Sequence, residues 1–484
     1  MHSALLTALL ALPLAQVSAE KVLGAYIFAR HGDRTAKILK NTKLTDLGYK
    51  QVYLTGSAYH DLYINSTSSQ YIDGISADVV NLSQLTASAP ADAVLQNSAT
   101  GFLQGVYPPV ASASSQLANG TTIDTPLDGY QLIPLSLIDS GTSSEDSTWL
   151  QSTTDCQNAI VSSNNYYSSQ LYNDLLDSTK DFYESLSDLI QTSFAPAGMT
   201  FKNAYTIFDY LNVGKIHNTT NTASDEQLHQ AFLLANIEQY NLAYNESEHI
   251  RAIAGSTLAA EMLMGLNETV TSQGKVKLHV EFGSYGTFLS YFGLAQLPAA
   301  DVAFTGIPDY ASSMVWELVT NSTSDVFPDP EDISVRFAFQ NGTLSNSPTE
   351  YPLYGESSAT IPWSKFVEQT EKIAIMTTKQ WCDACGNTDG QCASSDDSSS
   401  DSGSASTDST DGGSGGISKA VAGVIGAMVT LAVILGLQAL FFLLGGFRIT
   451  KKGRRPATEN AVVEETKTEN GNVLPALPFE STPK

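Results

Sequence analysis

The chain has 484 residues, enough for a large buried core, either as one domain with a sizeable insertion or as two domains. Its formal net charge is −25, with 25 Lys and Arg residues against 50 Asp and Glu residues. Such an acidic chain repels phosphate backbones at long range, which argues against nucleic acid as a partner.

The N-terminus has the pattern of a secretory signal peptide. An apolar stretch runs from Ala4 to Ala15 and leads to Val17-Ser18-Ala19, the small-x-small pattern at which signal peptidase cleaves. Because no Lys or Arg precedes this stretch, an uncleaved N-terminal helix is the alternative. We expect residues 1–19 to be removed, so that the mature chain begins near Glu20.

A buried strand and a helix open the folded region. Residues 21–28, KVLGAYIF, are apolar, β-branched and aromatic, and a polar turn follows, which predicts a buried parallel strand. From Leu44 to Tyr63 apolar residues recur at helical spacing, with Thr45 as the N-cap. Function often lies just after such a strand, so the polar turn is the first candidate site.

That turn carries the segment ARHGDR, residues 29–34. It places His31 between two guanidinium groups, those of Arg30 and Arg34. Planar Arg forks can hold phosphate oxygens bidentately while a neutral His nitrogen attacks phosphorus, so the spacing suits phosphoryl chemistry. Gly32 lets the backbone approach closely. The alternative interpretation is an exposed charged turn.

A helical region and a second strand follow. Residues 155–266 are predicted to be mostly helical, with amphipathic segments at 164–191 and 225–244. Residues 275–282 alternate as in a strand and lead into a helical segment at 287–294. A strand-helix core interrupted by a helical insert is the simplest assembly, and it predicts an α/β fold.

Sequons and cysteines indicate an oxidising compartment. Eight Asn-x-Ser/Thr sequons precede the second cysteine and none follows it, as expected of a glycosylated lumenal domain. Four cysteines predict one or two disulfides, with three pairings open. A zinc half-site in CDAC is the alternative, but no second CxxC or His pair follows, so we predict no metal. The sequons are Asn65, Asn81, Asn119, Asn218, Asn245, Asn267, Asn321 and Asn341, and the cysteines are Cys156, Cys382, Cys385 and Cys392.

The C-terminal region predicts a membrane anchor. Residues 393–416 are mostly Ser, Asp, Gly and Thr, which indicates a flexible stalk. Residues 420–447 are uncharged and exceed the ~20 residues needed to span a bilayer. The basic start of residues 448–484 places this tail in the cytoplasm, whereas a glycolipid-anchor signal normally ends in the apolar stretch. We expect a single-pass type I membrane protein with an ectodomain at 20–392, extracellular or lumenal.

Several segments together resemble the histidine acid phosphatases, the branch of the histidine phosphatases that includes the phytases. Residues 30–35, RHGDRT, resemble the family's RHGxRxP signature. Similar correspondences are LTDLGYKQ at 44–51 with LTxxGxxQ, FLQGVYPP at 102–109 with FLxGLYPP, and PDYAS at 308–312 with PPYAS. The resemblance covers residues 22 to 385. It implies an α/β core whose mostly parallel sheet is flanked by helices, with an inserted, mainly helical cap at about 150–266.

The resemblance also implies a mechanism and a ligand. His31 would be phosphorylated by a phosphomonoester, while Arg30 and Arg34 clamp the phosphoryl group. In the family a distant His-Asp pair completes the pocket, the histidine binding phosphate and the aspartate protonating the leaving group. No cofactor is implied.

Two family positions are degenerate. The family's YSxHDTxL falls on residues 282–289, so that Tyr285 stands for the histidine and Gly286 for the acid. A third arginine is expected before the YPP segment, but residues 84–105 contain no Arg or Lys. The proton donor and one pocket cation are therefore predicted to be absent.

Other polar residues near the motifs could replace the acid. For Asp33, Glu281, Asp309 and Glu317 a surface or capping role is the default expectation. His279 lies in the second strand, where alternation places it on one face with Lys277 and Glu281, and it is expected to lie on a polar face or to serve packing.

Two functions compete on this sequence. The first is a weak acid phosphatase with His31 as nucleophile and an acid not yet identified. The second is a pseudophosphatase that keeps the fold and half a phosphate pocket as a ligand-binding or cell-surface interaction module. A non-enzymatic wall or adhesion protein is a third option. Loss of general acid-base catalysis typically costs 10²–10⁴-fold in rate without abolishing binding, so the sequence alone does not separate the first two.

Overall fold

The computed structural model describes residues 20–138, 155–218, 222–344, 347–388 and 392. The predicted signal peptide, transmembrane helix and cytoplasmic tail, and the stalk at 393–416, lie outside these ranges and stay predictions. Within the described ranges, no helix is both long enough and apolar enough to cross a membrane.

The centre of the molecule is one eight-stranded sheet in the order β10-β8-β7-β1-β6-β2-β5, with β9 beside β8. A small hairpin of β3 and β4 stands apart from it. The strands are β1 (Lys21–Arg30), β2 (Leu85–Pro90), β3 (Ser114–Gln116), β4 (Thr122–Asp124), β5 (Ser136–Ile138), β6 (Leu278–Gly283), β7 (Ser313–Thr320), β8 (Ser334–Gln340), β9 (Thr349–Glu350) and β10 (Thr360–Pro362).

The sheet has a parallel half and an antiparallel half. Strands β1, β6, β2 and β5 pair in parallel, whereas β7, β8 and β10 continue from β1 in antiparallel pairs. Five of the eight strands described in this sheet run in one direction, β8 being the fifth. The α/β class with a mostly parallel sheet is thus confirmed.

Helices flank the sheet on both faces, and α3 is a single irregular turn. The helices are α1 (Asp46–Tyr59), α2 (Ala93–Val106), α3 (Pro126–Gly129), α4 (Gln157–Asn165), α5 (Gln170–Ser178), α6 (Lys180–Ser185), α7 (Ser187–Ile190), α8 (Ala204–His217), α9 (Asp225–Ala243), α10 (Ile253–Thr271), α11 (Tyr285–Leu294), α12 (Trp363–Glu371) and α13 (Thr378–Cys385).

The first strand and helix form where the sequence predicts them. Strand β1 is buried on both faces because its side chains alternate between two apolar clusters. Thr45 caps α1 as predicted, accepting a hydrogen bond from the Gly48 N–H at 3.0 Å. The amphipathic segment at 164–191 is broken into short helices, since Ser169 starts a new one by accepting from the Tyr172 N–H at 3.1 Å.

Three apolar clusters explain how the helices are placed. Helices α10 and α11 cover one face of the sheet, and α1 and α2 cover the other. A third cluster joins α5 to α9 and forms the separate interior of the helical insert. Helix α10, most of which falls inside the predicted cap range, packs on β1 with the sheet.

Two disulfides are present, in agreement with the sequence prediction. Cys156 pairs with Cys385 and Cys382 pairs with Cys392. The first joins the start of α4 to the end of α13, so the beginning of the insert is tied to the C-terminal helix of the described region.

Of the two roles expected of His279, a polar face and packing, the structure shows packing. His279 is buried and stacks on Tyr26, with ring centroids 5.9 Å apart. Burial lowers the pKa of His279 to about 4, so the ring stays neutral. Glu281 and Glu317 are buried as well, not on the surface as expected. Helices from the first cluster cover this face, and strand alternation alone cannot reveal a cover of that kind.

Candidate functional site

The predicted site residues meet at one edge of the parallel half of the sheet. Strands β1 and β6 are parallel neighbours, with Arg30 opposite Gly283, so the segments that follow them emerge side by side. The guanidinium carbon of Arg30 lies 5.3 Å from the ring centroid of Tyr285. His31 and Tyr285 therefore line the same site, as the motif alignment predicts.

Two glycines set the shape of the loop after β1. A Cβ on Gly32 would lie 2.2 Å from the Gly48 carbonyl oxygen, and a Cβ on Gly48 would lie 2.0 Å from the Asp33 carbonyl oxygen. No side chain fits at either position, so the N-terminus of α1 can pack directly against the loop. This contact explains why the RHG segment and the LTxxG segment occur together.

His31 is fully buried and its ring orientation is fixed. Its Nδ1 lies 2.7 Å from the Gly32 carbonyl oxygen, which can only accept a hydrogen bond. The proton is therefore assigned to Nδ1, which leaves the lone pair on Nε2. The Tyr310 ring lies 5.6 Å away, and the Ala311 N–H donates to the His31 carbonyl at 2.9 Å.

Arg30 is held between aromatic rings. Its Nη1 donates to the Pro308 carbonyl, and its guanidinium carbon lies 4.8 Å from the Tyr310 ring centroid. Its Nε is buried and has no hydrogen-bond partner among the described residues. The Ser284 Oγ, at the end of β6, is also buried and has no hydrogen-bond partner among the described residues. The site thus offers polar donors that an anion could accept from.

Arg34 is paired with a carboxylate from the helical insert. Its Nη1 lies 2.9 Å from Asp209 Oδ1 on α8, and its Nη2 donates to the Tyr205 hydroxyl at 3.1 Å. The other oxygen of Asp209 accepts from the Lys37 N–H at 2.8 Å. Sequence reasoning missed Asp209, because no local signal marks an aspartate 175 residues from its arginine.

A second contact joins α8 to the same loop. His217 Nε2 lies 2.7 Å from Asp33 Oδ2, and Asp33 also accepts from the Thr45 hydroxyl. Asp33 is fully buried, so the expected surface role is wrong for it. Helix α8 therefore holds two consecutive loop residues, Arg34 through Asp209 in the middle of the helix and Asp33 through His217 at its C-terminal end.

The two degenerate positions, Tyr285 and Gly286, supply neither a histidine nor an acid, and Tyr285 packs against its neighbours instead. Tyr285 is buried, donates to Gln239 Oε1 at 2.5 Å and packs on Tyr205 with ring centroids 4.7 Å apart. Gly286 lies in the first turn of α11 and supplies no carboxyl group. Lys37 adds a cation, its Nζ lying 5.7 Å from the rings of both Tyr205 and Tyr285.

The segment in which the third arginine is expected, residues 84–105, contains one charged residue, Asp92. Asp92 caps α2, accepting from the Val94 N–H at 2.8 Å and the Leu95 N–H at 3.1 Å, and Val94 is fully buried. In the part of the chain that the structure describes, no cluster of three or more His, Cys, Asp or Glu residues could hold a metal ion.

One buried carboxyl group behind the site stays neutral. Glu238 on α9 accepts from the Tyr205 N–H at 2.8 Å. Burial raises the pKa of Glu238 to about 8, although this bond and the Gln239 amide lower it. Two carboxyl groups of the insert therefore lie near the site: Asp209 on α8 pairs with Arg34, and Glu238 on α9 keeps its proton.

Comparison with known proteins gives likeness in structure alone. No family model and no curated protein matches the sequence. Hafnia alvei phytase in its apo form is 11% identical over 76% of this chain and 98% of its own, with a TM-score of 0.49. Klebsiella sp. ASR1 phytase is 11% identical over 74% and 96%, with a TM-score of 0.48.

A phosphate complex of the Bifidobacterium longum multiple inositol polyphosphate phosphatase is 11% identical over 74% of this chain and 95% of its own. Its TM-score is 0.44. Likeness at this level concerns the fold and carries no argument about chemistry. Over about three quarters of its length, the chain is similar in fold to phytases and inositol polyphosphate phosphatases of the histidine acid phosphatase family.

Proposed function

We propose that the chain hydrolyses phosphomonoesters through a phosphohistidine at His31. The observation that carries this proposal is the orientation of His31. Its Nδ1 proton is directed to the Gly32 carbonyl, which leaves an Nε2 lone pair, and the His31 ring and the guanidinium carbons of Arg30 and Arg34 lie 5.6, 4.8 and 6.0 Å from the Tyr310 ring centroid. A neutral imidazole between two cations is suited to attack an anionic phosphoryl group.

The charges around His31 support binding of an anion. Arg30 interacts with two aromatic rings and a carbonyl group, and its Nε has no hydrogen-bond partner in the described part of the chain. Asp209 compensates Arg34, so the site has less positive charge than its two arginines suggest. We expect phosphate to bind, but weakly, because Arg34 is shared with a carboxylate.

The reaction would proceed in two steps. Nε2 of His31 forms a bond to phosphorus while the bond to the leaving oxygen breaks, and water then hydrolyses the phosphohistidine. Arg30 and Arg34 would stabilise the charge on the phosphoryl oxygens. Because Gly286 stands where the family has its acid, an aryl oxide can leave without a proton, whereas an alkoxide requires a proton donor from elsewhere in the site.

A pseudophosphatase is the second candidate, and a specific observation favours it. His31 and Arg34 are 0% exposed, Arg30 is 4% exposed and Tyr285 is 3% exposed. A substrate reaches them only if side chains at the mouth of the site move. In this alternative the site binds phosphate or a related ligand, and the Arg34–Asp209 pair stays closed.

A hydrolysis assay on the full-length chain at mildly acid pH tests both candidates. An aryl phosphate should be cleaved, and His31→Ala should lower that rate at least about 10³-fold because the nucleophile is lost. His229→Ala, at an exposed histidine on α9, is the matched control and should leave the rate unchanged. Equal activity in His31→Ala would exclude the proposed mechanism. Absence of activity in the native chain, with measurable phosphate binding, would establish the pseudophosphatase.

We also propose that the described region is extracellular or lumenal and is anchored by residues 420–447. The eight sequons and the two disulfides support this location. Truncation after Ala393 should yield a secreted, glycosylated protein, whereas the full chain should remain in the membrane fraction. Retention of the truncated protein inside the cell, or loss of the full chain to the medium, would contradict the anchor.

A further inference from the structure

One turn on the far side of β1 is attached directly to the RHGDR loop. The Pro308 carbonyl accepts from Arg30 Nη1, and the Ala311 N–H donates to the His31 carbonyl at 2.9 Å. Ala311 has a φ of +62°, a left-handed conformation that is unfavourable for alanine and that persists where surrounding contacts impose it. The turn, residues 308–312, is therefore held rigidly beside the nucleophile.

Asp309 lies in the middle of this turn and is accessible. Its neighbours on both sides, Pro308 and Tyr310, contact Arg30. Its backbone N–H donates to Asn341 Oδ1 at 2.8 Å, which fixes the position from which the side chain projects. The side chain is exposed to solvent, and within the described residues no hydrogen bond or ion pair reaches its carboxylate. A substrate could therefore reach this carboxyl group.

The surroundings of Asp309 favour a group that carries a proton. The side chain is exposed, yet enough protein surrounds it that desolvation raises the pKa of Asp309. The Arg30 charge opposes this effect and is the smaller influence. The carboxyl group therefore keeps its proton to a higher pH than an ordinary aspartate.

The other carboxyl groups near the site are already committed. Asp209 accepts from Arg34 and the Lys37 N–H, and Asp33 accepts from Thr45 and contacts His217. The remaining two are buried under helices: Glu281 accepts from Tyr26, and Glu317 pairs with Arg336 at 2.6 Å. None of these four combines accessibility with an uncommitted carboxyl group.

We propose that Asp309 is the general acid of this site and supplies the carboxyl group that Gly286 lacks. The inference rests on the proposed hydrolysis at His31 and deepens it. It extends the substrates of the site to phosphomonoesters of unactivated alcohols, provided that Asp309 carries its proton.

The proton and electron pairs balance in both steps. As Nε2 of His31 bonds to phosphorus and the bond to the leaving oxygen breaks, the Asp309 proton moves to that oxygen and an alcohol departs. The Asp309 carboxylate then accepts a proton from a water molecule whose oxygen bonds to phosphorus while the phosphorus–nitrogen bond breaks. Inorganic phosphate is released, and His31 and the protonated Asp309 are restored.

The test compares leaving groups in the full-length chain. Asp309→Asn should lower kcat/KM for an alkyl phosphate by about 100-fold or more, within the range typical of general acid-base catalysis. For an aryl phosphate the loss should stay below about tenfold, because the departing oxide needs little proton donation. Asp309→Glu should retain part of the alkyl activity, since it keeps a carboxyl group. Asp329→Asn, at an exposed aspartate outside the site, is the matched control and should change neither rate.

A second measurement uses the unaltered chain and does not depend on the folding of a variant. The kcat/KM for the alkyl ester should fall as pH rises through the raised pKa of Asp309, whereas the aryl ester should lack this dependence. Identical pH profiles, or equal losses on both esters in Asp309→Asn, would overturn the acid role and leave hydrolysis at His31 standing. Cleavage of the aryl ester but not of the alkyl ester by the native chain would also overturn the acid role of Asp309 and leave hydrolysis at His31 standing. Activity that survives in His31→Ala would instead overturn the proposed function, and the acid role with it.

Discussion

The two loops that form the site solve the problem of buried charge in different ways. The β1 loop, residues 30–34, keeps its ions and compensates them, since Arg34 pairs with Asp209 and Asp33 contacts His217. The β6 loop, residues 283–287, contains no ionisable acid or base apart from Tyr285, which packs on aromatic neighbours. A buried charge must be paired or avoided, and this molecule uses one solution on each side of its site.

The difference extends to the helical insert behind each loop. Helix α8 presents the carboxyl group of Asp209 to Arg34 in the β1 loop, whereas α9 presents the neutral pair Glu238 and Gln239 to the aromatic side chains behind the β6 loop. The insert has therefore adapted to each loop separately. On the β1 side the insert supplies the negative charge that a bound phosphate would supply to Arg34. On the β6 side it supplies a hydrogen-bond partner to Tyr285, which stands in the position of the family's histidine.

Removal of the compensating carboxylate should have the largest effect. Asp209→Ala removes the buried carboxylate that pairs with Arg34, so the free energy of unfolding should fall by about 3–5 kcal/mol, measured by urea denaturation. Inorganic phosphate should restore part of this loss because it can take the position of the carboxylate against Arg34. Asp225→Ala, which removes an exposed ion pair with Lys215, is the matched control and should not shift the midpoint. Equal behaviour of the two variants would show that the β1 loop does not depend on compensation.

The neutral carboxyl group behind the β6 loop predicts a pH dependence. The pKa of Glu238 is raised in the folded state to about 8, so its contribution to stability is fully present below its unfolded pKa and is lost as pH rises through about 8. Between pH 5 and 8 we expect a loss on the order of 2–3 kcal/mol, measured by chemical denaturation at several pH values.

Glu238→Gln should flatten this dependence, since an amide keeps the hydrogen bond to the Tyr205 N–H without titrating. An exposed acidic residue on the same helix, Glu226, provides the control, and Glu226→Gln should leave the profile unchanged. A profile unaffected by Glu238→Gln would mean that this carboxyl group is ionised in the folded chain.

Restoring the family residues on the β6 loop should have the smallest effect. In the Asp309→Asn background, Tyr285→His with Gly286→Asp should raise hydrolysis of an alkyl phosphate by about 10- to 100-fold, and more than that of an aryl phosphate, because a carboxylic acid helps most when the departing oxygen is most basic. Gly286 lies in the first turn of α11, where an aspartate is favourable, so strain from a left-handed backbone is not a concern.

The Asp309 variant sharpens this last experiment. If Asp309 already supplies the proton, the double replacement should add little in the native background and should restore much more in Asp309→Asn. The gains should disappear in His31→Ala, where no phosphohistidine can form. Equal gains on both esters would show that the replaced residues act through binding and not as an acid.

Local patterns predicted the elements around the site well. The apolar run at 21–28, the Thr45 cap and the alternating run at 275–282 are local signals, and each corresponds to an element of the structure. The burial of Glu281 and His279 was not predictable in this way, since alternation assigns faces but does not say what covers them. The helices in the insert are broken because Ser169 caps a new helix. In the sequence the amphipathic spacing continues across Ser169, so it predicted longer helices and hid this capping signal.

The sequence by itself determined the α/β class, the RHGDR loop and the loss of charge at Tyr285 and Gly286, because these depend on neighbouring residues and on strand and helix periodicity. Only the tertiary structure decided that Asp209 pairs with Arg34 and that Asp309 stands accessible beside the nucleophile. Pairing across 175 residues follows from how the insert packs on the sheet. No local pattern encodes that packing, since the free energy of a buried charge depends on whatever the whole fold places around it.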